Sequence, residues 1–324
     1  VDDYGGFQVK ELVVISGKGG TGKTSIVASL AALEENVVTA DCDVDAADLH
    51  LLLDPHVERE EPFSGGKIAS IDADLCTGCG KCEELCRFGA ISRNGTTREL
   101  SVGGSRADVP DGSINRLHPV YAVDKIACEG CGVCAYFCPM GAVDFSEEEN
   151  GIWFVSRTRF GPMVHARLHA GSENSGKLVS LVRREARRIA ERSGIDLVLI
   201  DGSPGIGCPV IASITGSNLV LIVTEPTESG FHDLERVMKL TKHFGIETMV
   251  VVNKYDINEE LTRRIEAVAR REGAALAGRI RYDNVVTKAQ IEGKSVVELP
   301  RGPTVGEIER LHEYVRSRMK QEVK

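Results

Sequence analysis

Two sets of residues in this 324-residue chain have the types and spacing to do chemistry. The first is Gly17-Lys18-Gly19-Gly20-Thr21-Gly22-Lys23-Thr24, which fits G-x-x-x-x-G-K-[ST]. Glycines at those positions let backbone N–H groups wrap phosphate oxygens, and a helix starting there adds its N-terminal dipole. Lys23 is placed to reach the β- and γ-phosphates and Thr24 to ligate Mg2+, with Ser25 continuing the nucleotide-binding run. Asp41 and Asp43 follow one apolar run and Asp201 another, and paired carboxylates beside a phosphate loop are what magnesium-assisted phosphoryl transfer needs. The second set is sulfur. Cys76, Cys79, Cys82 and Cys86 make C-x2-C-x2-C-x3-C, and Cys128, Cys131, Cys134 and Cys138 repeat it with Pro139 following. Four thiolates so closely spaced suit a [4Fe–4S] cubane. The rival is zinc, for which eight thiolates fill two tetrahedral sites, although zinc ribbons draw paired C-x2-C motifs from separate turns.

Positioning these groups requires a particular arrangement of elements. Apolar runs at 11–16, 37–40, 196–200, 219–223, 248–252 and 276–280 read as buried strands, and helical stretches, one running from the Gly-rich turn to about 33 and others at 177–192, 230–244 and 258–271, alternate with them. Such alternation predicts an α/β fold, a doubly wound and mainly parallel sheet, with the phosphate loop between its first strand and helix. The alternation lapses between about 63 and 150, where eight of the ten cysteines lie. That segment repeats itself at an offset of 52 residues, DADLCTGCGKCEELCRFGAI from Asp72 against DKIACEGCGVCAYFCPMGAV from Asp124. The expectation is one domain made of 1–62 and 151–324, interrupted by an inserted domain at 63–150. The stretch 156–168 reads as a solvated β-hairpin. Gly171 to Lys177 spells a second G-x-x-x-x-G-K, but Leu178 follows where a hydroxyl is needed, so it reads as a loop leading into a helix. Ile308, Leu311, Val315 and Met319 fall at helical spacing in a narrow stripe suited to docking on the chain's own sheet. A net charge of −9 argues against a nucleic-acid or anionic-membrane partner. No apolar run has the length of a membrane span, so stable membrane insertion is not expected. With 1–8 set aside, cysteines without a secretion signal point to the cytoplasm and to metal or redox chemistry.

The run KGGTGKT, with Lys18 ahead of the glycines, resembles the deviant Walker A of MinD/Mrp-type ATPases, relatives of the nitrogenase iron protein. The resemblance implies an ATPase acting as a nucleotide-sandwich homodimer, in which Lys18 reaches the partner's phosphates. It makes Asp43 the carboxylate that orients the attacking water and Asp41 a magnesium-shell residue, and it matches Asp201-Gly202-Ser203-Pro204-Gly205 to the family's second switch. Asn253-Lys254-Tyr255-Asp256 spells the guanine-reading NKxD of GTPases, while in MinD-like ATPases the Asn contacts adenine, so the stretch alone leaves ATP and GTP open. Asp283 matches a second base-contacting loop, with Arg281 where the family has proline. The cysteine runs resemble bacterial two-cluster ferredoxins, in which each run's fourth cysteine serves the other run's cluster. Cluster one then takes Cys76, Cys79, Cys82 and Cys138, and cluster two Cys128, Cys131, Cys134 and Cys86. Cys208 sits at the offset from Asp201 of a cluster-ligating cysteine in the nitrogenase iron protein, but 171–177, resembling the region of that protein's other ligand, has none. Three functions fit: ATP-gated electron transfer to a redox partner, delivery of iron–sulfur units to an apo-metalloprotein, or MinD-like spatial regulation with structural clusters.

Overall fold

A computed structural model describes residues 8–98, 118–125, 127–169 and 175–321. The set-aside residues 1–7 and loop residues 171–174 lie outside the described residues. Two compact units divide the chain: one takes in the described residues through Phe63, Gly151–Leu168 and 175 onward, the other those within 64–150 together with His169.

The larger unit opens with β1 (Lys10–Ser16), α1 (Lys23–Leu33), β2 (Val38–Asp41), α2 (Leu49–Leu53) and β3 (His56–Phe63). The smaller unit follows, with β4 (Gly66–Ile71), α3 (Lys81–Leu85), β5 (Ile91–Arg98), β6 (His118–Val123), α4 (Val133–Phe137) and β7 (Val143–Glu148). The larger unit resumes at β8 (Gly151–Thr158), β9 (Gly161–Leu168), α5 (Ser175–Ser193), β10 (Leu197–Pro204), α6 (Cys208–Ile214) and β11 (Leu219–Thr224). It ends with α7 (Glu228–His243), β12 (Thr248–Asn253), α8 (Glu259–Arg271), β13 (Ala275–Ile280), α9 (Asn284–Ile291) and α10 (Pro303–Lys320).

Its strands form one sheet in the order β13-β12-β11-β1-β10-β2-β9-β8-β3. Pairing is parallel from β13 through β9, and β8 and β3 add antiparallel edges. The apolar runs are continuous because both faces are covered. In β1, Val13 and Ile15 face a core built with α5 to α8, while Leu12 and Val14 face one built with α1, α2, α9 and α10.

Two readings of the sequence need correction. The stretch 156–168 is a hairpin but not a solvated one: β9 pairs with β2, and Met163, Val164 and Ala166 are buried. Small and apolar residues at those positions let β9 fill the place beside β2, with α5 packed over it. The parallel sheet therefore runs one strand beyond the periodic strands read from the sequence. The outermost strand, β3, escaped detection because HVEREEPF is charged and exposed along most of its length, a composition that protects a sheet edge from pairing with another chain.

The smaller unit has the internal symmetry its repeat implies. β4 pairs with β7 and β5 with β6, so each hairpin-like pair joins the start of one repeat to the end of the other. Two backbone bonds are equivalent across the 52-residue offset: Asp72 N–H donates to Ala142 O at 2.8 Å, and Asp124 N–H to Ala90 O at 2.7 Å. At Gly130, φ is +60° and an added Cβ would lie 2.3 Å from the Lys67 carbonyl oxygen, so only glycine fits there.

Helix α10 buries Ile308, Leu311, Val315 and Met319 against the sheet's second core. Among the described residues no helix is long and apolar enough to cross a membrane. Leu311→Ala should lower stability by about 2–5 kcal/mol, the cost of an unfilled space under a packed helix, read as a lower midpoint in urea denaturation.

Candidate functional site

The residues singled out for phosphate chemistry meet at the C-terminal edge of the large sheet, where open α/β sheets bind ligands. Adjacent strand order β1-β10-β2 puts Lys23, Asp201 and Asp43 side by side. Lys23 Nζ lies 2.5 Å from Asp201 Oδ1 and 3.3 Å from Asp43 Oδ2, and it is buried. Burial works against its charge, but Asp201, Asp43 and Asp41 overcome that and hold the ammonium above its ordinary value. Asp41 is fully buried, and both its oxygens accept backbone N–H bonds, from Asp43 at 3.1 Å and Leu49 at 3.2 Å. Burial and the charge of Asp201 nonetheless raise its carboxyl well above the ordinary range. Burial also pushes Asp43 up to about 6, with Lys23 opposing and Asp201 adding to the rise.

The loop itself is pinned from below. Gly22 has φ +88°, and an added Cβ would lie 2.4 Å from Asn253 Nδ2. Asn253 Nδ2 donates to the Thr21 carbonyl at 2.7 Å, and Lys254 Nζ donates to the Gly20 carbonyl at 3.1 Å. These bonds occupy loop carbonyls and leave the N–H side of the loop for an anion. Ser25 Oγ accepts from Gln290 Nε2 at 3.0 Å, and Thr24 is half-buried.

Two polar atoms here lack a partner although buried: Thr21 Oγ1 and Asp201 Oδ2. Buried unsatisfied atoms are uncommon and costly. A carboxylate oxygen left open beside Lys23 and Asp43 fits a divalent cation that completes its shell with water and phosphate, as Mg2+ does. Among the described residues no three Asp, Glu, His or Cys side chains converge to chelate one ion unaided.

Lys18 does not point into open solvent. Its Nζ is 2.7 Å from Glu225 Oε1, 3.1 Å from Thr227 Oγ1 and 3.0 Å from Ser229 Oγ. The other oxygen of Glu225 takes Lys254 Nζ at 2.9 Å. Glu225, just beyond β11, carried no signal in the sequence reading; the acid of TEPTES looks like any polar residue closing a strand. In the Asn253–Asp256 stretch, Asn253 uses its side-chain carbonyl for the Lys254 N–H at 3.0 Å, and Asp256 accepts the Tyr282 N–H at 2.7 Å. Asp283 caps α9 through Val285 N–H at 3.0 Å and accepts from Thr304 Oγ1 at 2.7 Å.

In the smaller unit the eight cysteines line two recesses. One takes Cys76, Cys79, Cys82 and Cys138, the other Cys86, Cys128, Cys131 and Cys134. Each recess thus draws three thiols from one repeat and the fourth from the other, because the strands that follow Cys86 and Cys138 cross to the opposite repeat. Gly78 N–H donates to Cys76 Sγ at 3.4 Å and Ala142 N–H to Cys138 Sγ at 3.3 Å, the bonds that stabilise charge on a ligating sulfur. The remaining cysteines stand apart: Cys42 is buried, its thiol held neutral by burial and the adjacent Asp41, and Cys208 is exposed at the start of α6.

Fold and site together define a P-loop ATPase of the MinD/ParA type carrying a ferredoxin-like insertion. The profile of the CobQ/CobB/MinD/ParA nucleotide binding domain, CbiA, matches residues 12–296, and the chain belongs to that family. An uncharacterized protein of Methanocaldococcus jannaschii is 33% identical over 259 residues, 79% of this chain and 82% of its own length. Ferredoxin-3 of Nostoc is 33% identical over 81 residues, 25% of this chain and 79% of that protein. In fold the chain is similar to the septum site-determining protein MinD of Pyrococcus horikoshii complexed with Mg-ADP, with a TM-score of 0.53 at 17% identity over 98% of this chain and 100% of that one.

A carboxyl titrating at about 6 in the folded chain, against about 4 unfolded, binds its proton more tightly when folded. Its ionisation therefore costs stability as pH rises through that window, up to ~3 kcal/mol above it. Asp43→Asn should stabilise the nucleotide-free protein at pH 8, and the gain should shrink toward zero near pH 4, measured by urea denaturation at both values.

Proposed function

We propose that this chain is a homodimeric, magnesium-dependent ATPase whose nucleotide cycle gates electron transfer from two [4Fe–4S] clusters to a redox partner. The observation that carries the reading is the pair of four-cysteine recesses with crossed membership, in the same chain as a complete phosphate loop. A cluster held by both repeats is tied to the fold of the whole module, which suits a resident electron carrier more than a cargo. The similarity to ferredoxin-3 supports iron over zinc.

In the nucleotide site Lys23 neutralises the β- and γ-phosphates, and Thr24 with Asp201 and Asp41 holds the magnesium shell. Mg2+ there supplies charge to the developing leaving group. Asp43 orients the attacking water, and Lys18 contributes its charge to the partner subunit's phosphates. Asn253 and Asp283 flank the base, with ATP favoured by the family. Ser203 Oγ donates to the Cys42 carbonyl at 2.8 Å and Cys42 N–H to the Asp201 carbonyl at 2.8 Å, so the ends of β2 and β10 move as one when phosphate leaves.

Lys23→Ala should abolish ATP hydrolysis; a variant as fast as wild type removes the ATPase claim. Anaerobically purified protein should hold about eight irons per chain, and two zincs in their place would sink the redox reading. The crossing has its own test. Cys76→Ala with Cys138→Ala should remove one cluster and leave about four irons, whereas Cys76→Ala with Cys86→Ala should remove both. Reversible cluster reduction with an ATP-dependent potential supports gating. Loss of a cluster to an apo-metalloprotein on ATP addition supports the assembly role instead.

A further inference from the structure

We propose that Glu225 is a positioning residue for the phosphate loop: it holds Lys18 within its own subunit until a phosphate of a dimer partner's nucleotide replaces the carboxylate. The inference rests on the two-subunit reading of Lys18.

Lys18 Nζ has three oxygen partners, Glu225 and Thr227 from the turn between β11 and α7 and Ser229 from the first turn of α7. That number equals the number of protons on an ammonium, so the site is filled rather than brushed. Glu225 also serves Lys254, whose Nζ reaches the Gly20 carbonyl. The carboxylate therefore ties both ends of the segment Lys18–Gly20 to the sheet. Burial opposes its charge, yet the hydrogen bonds from Lys18 and Lys254 outweigh that and hold the carboxyl below its ordinary value.

Lys254 itself sits at φ +55°, a left-handed conformation that is unfavourable for a non-glycine residue. The paired contacts to Glu225 and Gly20 offset that cost. A residue strained into place to complete a bidentate clamp argues for a defined arrangement and not a chance surface pair.

The consequence follows from competition. Lys18 cannot satisfy Glu225 and a phosphate of the facing subunit at once, so each dimer formed must break two such pairs. Phosphate carries more negative charge than a carboxylate, which lets bound nucleotide win while the nucleotide-free chain stays monomeric. Freed of Lys18, Glu225 retains Lys254, and the loop stays pinned through Gly20.

The test is the monomer–dimer dissociation constant by analytical ultracentrifugation with Mg2+ and a non-hydrolysable ATP analogue. Glu225→Gln should tighten the dimer fivefold or more, and Ser229→Ala, an exposed change outside the clamp's carboxylate, should tighten it less but in the same direction. Neither gain should survive in a Lys18→Ala background. Unchanged or weaker dimers in both folded variants overturn the proposal, as does an equal gain with Lys18 absent, which would reflect general charge. A wild-type chain that never dimerises with the analogue, and a Lys18→Ala variant that hydrolyses ATP normally, would remove the two-subunit reading first and so be told apart from failure of the clamp.

Discussion

One buried cation sets the terms for the nucleotide half of this molecule. Lys23 lies among Asp41, Asp43 and Asp201 at the end of three adjacent strands, and one ammonium cannot neutralise three carboxylates. Removing such charges from water is expensive unless they are paired. The imbalance appears in the carboxyls themselves, with Asp41 and Asp43 driven toward protonation and one oxygen of Asp201 left open. A site of this kind is poorly satisfied without a divalent cation and well satisfied with one. The sheet order β1-β10-β2 is what brings these groups together, and the two continuous cores on either face are what keep it fixed.

The same strand order gives the insertion a mechanical address. β2 carries Asp41 at its end, β9 lies beside β2, and the β9–β8–β3 ladder continues outward to the residues where the chain leaves for the insert and returns. Those two points, Phe63 and Gly151, are paired partners on neighbouring strands. His165 of β9 reinforces the ladder: its ring stacks on Phe154 at 4.9 Å, its Nε2 meets Ser156 Oγ at 2.9 Å, and burial pushes it down to about 4, keeping it neutral. A change at the end of β2 is thus two strands from the insert's attachment.

How much of this was legible in sequence depended on whether a residue's role is local. The phosphate loop, the strand-end carboxylates and the cysteine runs were readable because spacing alone constrains them. The central strands were readable because burial on both faces makes them uniformly apolar. β3 was not, since its charged and exposed edge carries no apolar period, and the hairpin holding β9 was read as solvated because nothing local shows that β9 pairs with β2. Glu225 was invisible for a different reason: its partners Lys18 and Lys254 lie 207 and 29 residues away, and only the sheet places them together. Asp283 was read toward a nucleotide base from its motif alone; that it also caps α9 and accepts from Thr304, and that Asp256 accepts the Tyr282 N–H, are ties within the protein that their sequence context did not announce.

The crossed recesses show why the repeat is present as two copies and not one. In each copy the strand after the fourth cysteine leaves its own repeat, and its carbonyl bonds the start of the other. A single copy would have three thiols around a recess and a fourth directed elsewhere. Ligand sharing makes the two recesses interdependent, since distorting one repeat withdraws a ligand from each. It also places both recesses about one small core, where Cys134 packs among Ala69, Ile91, Tyr121 and Val143. Below a certain size a domain cannot stabilise itself by apolar burial alone. For this unit, with few buried side chains among its described residues, eight metal–sulfur bonds would contribute directly to folding, so retention of such clusters and integrity of the module would become one requirement.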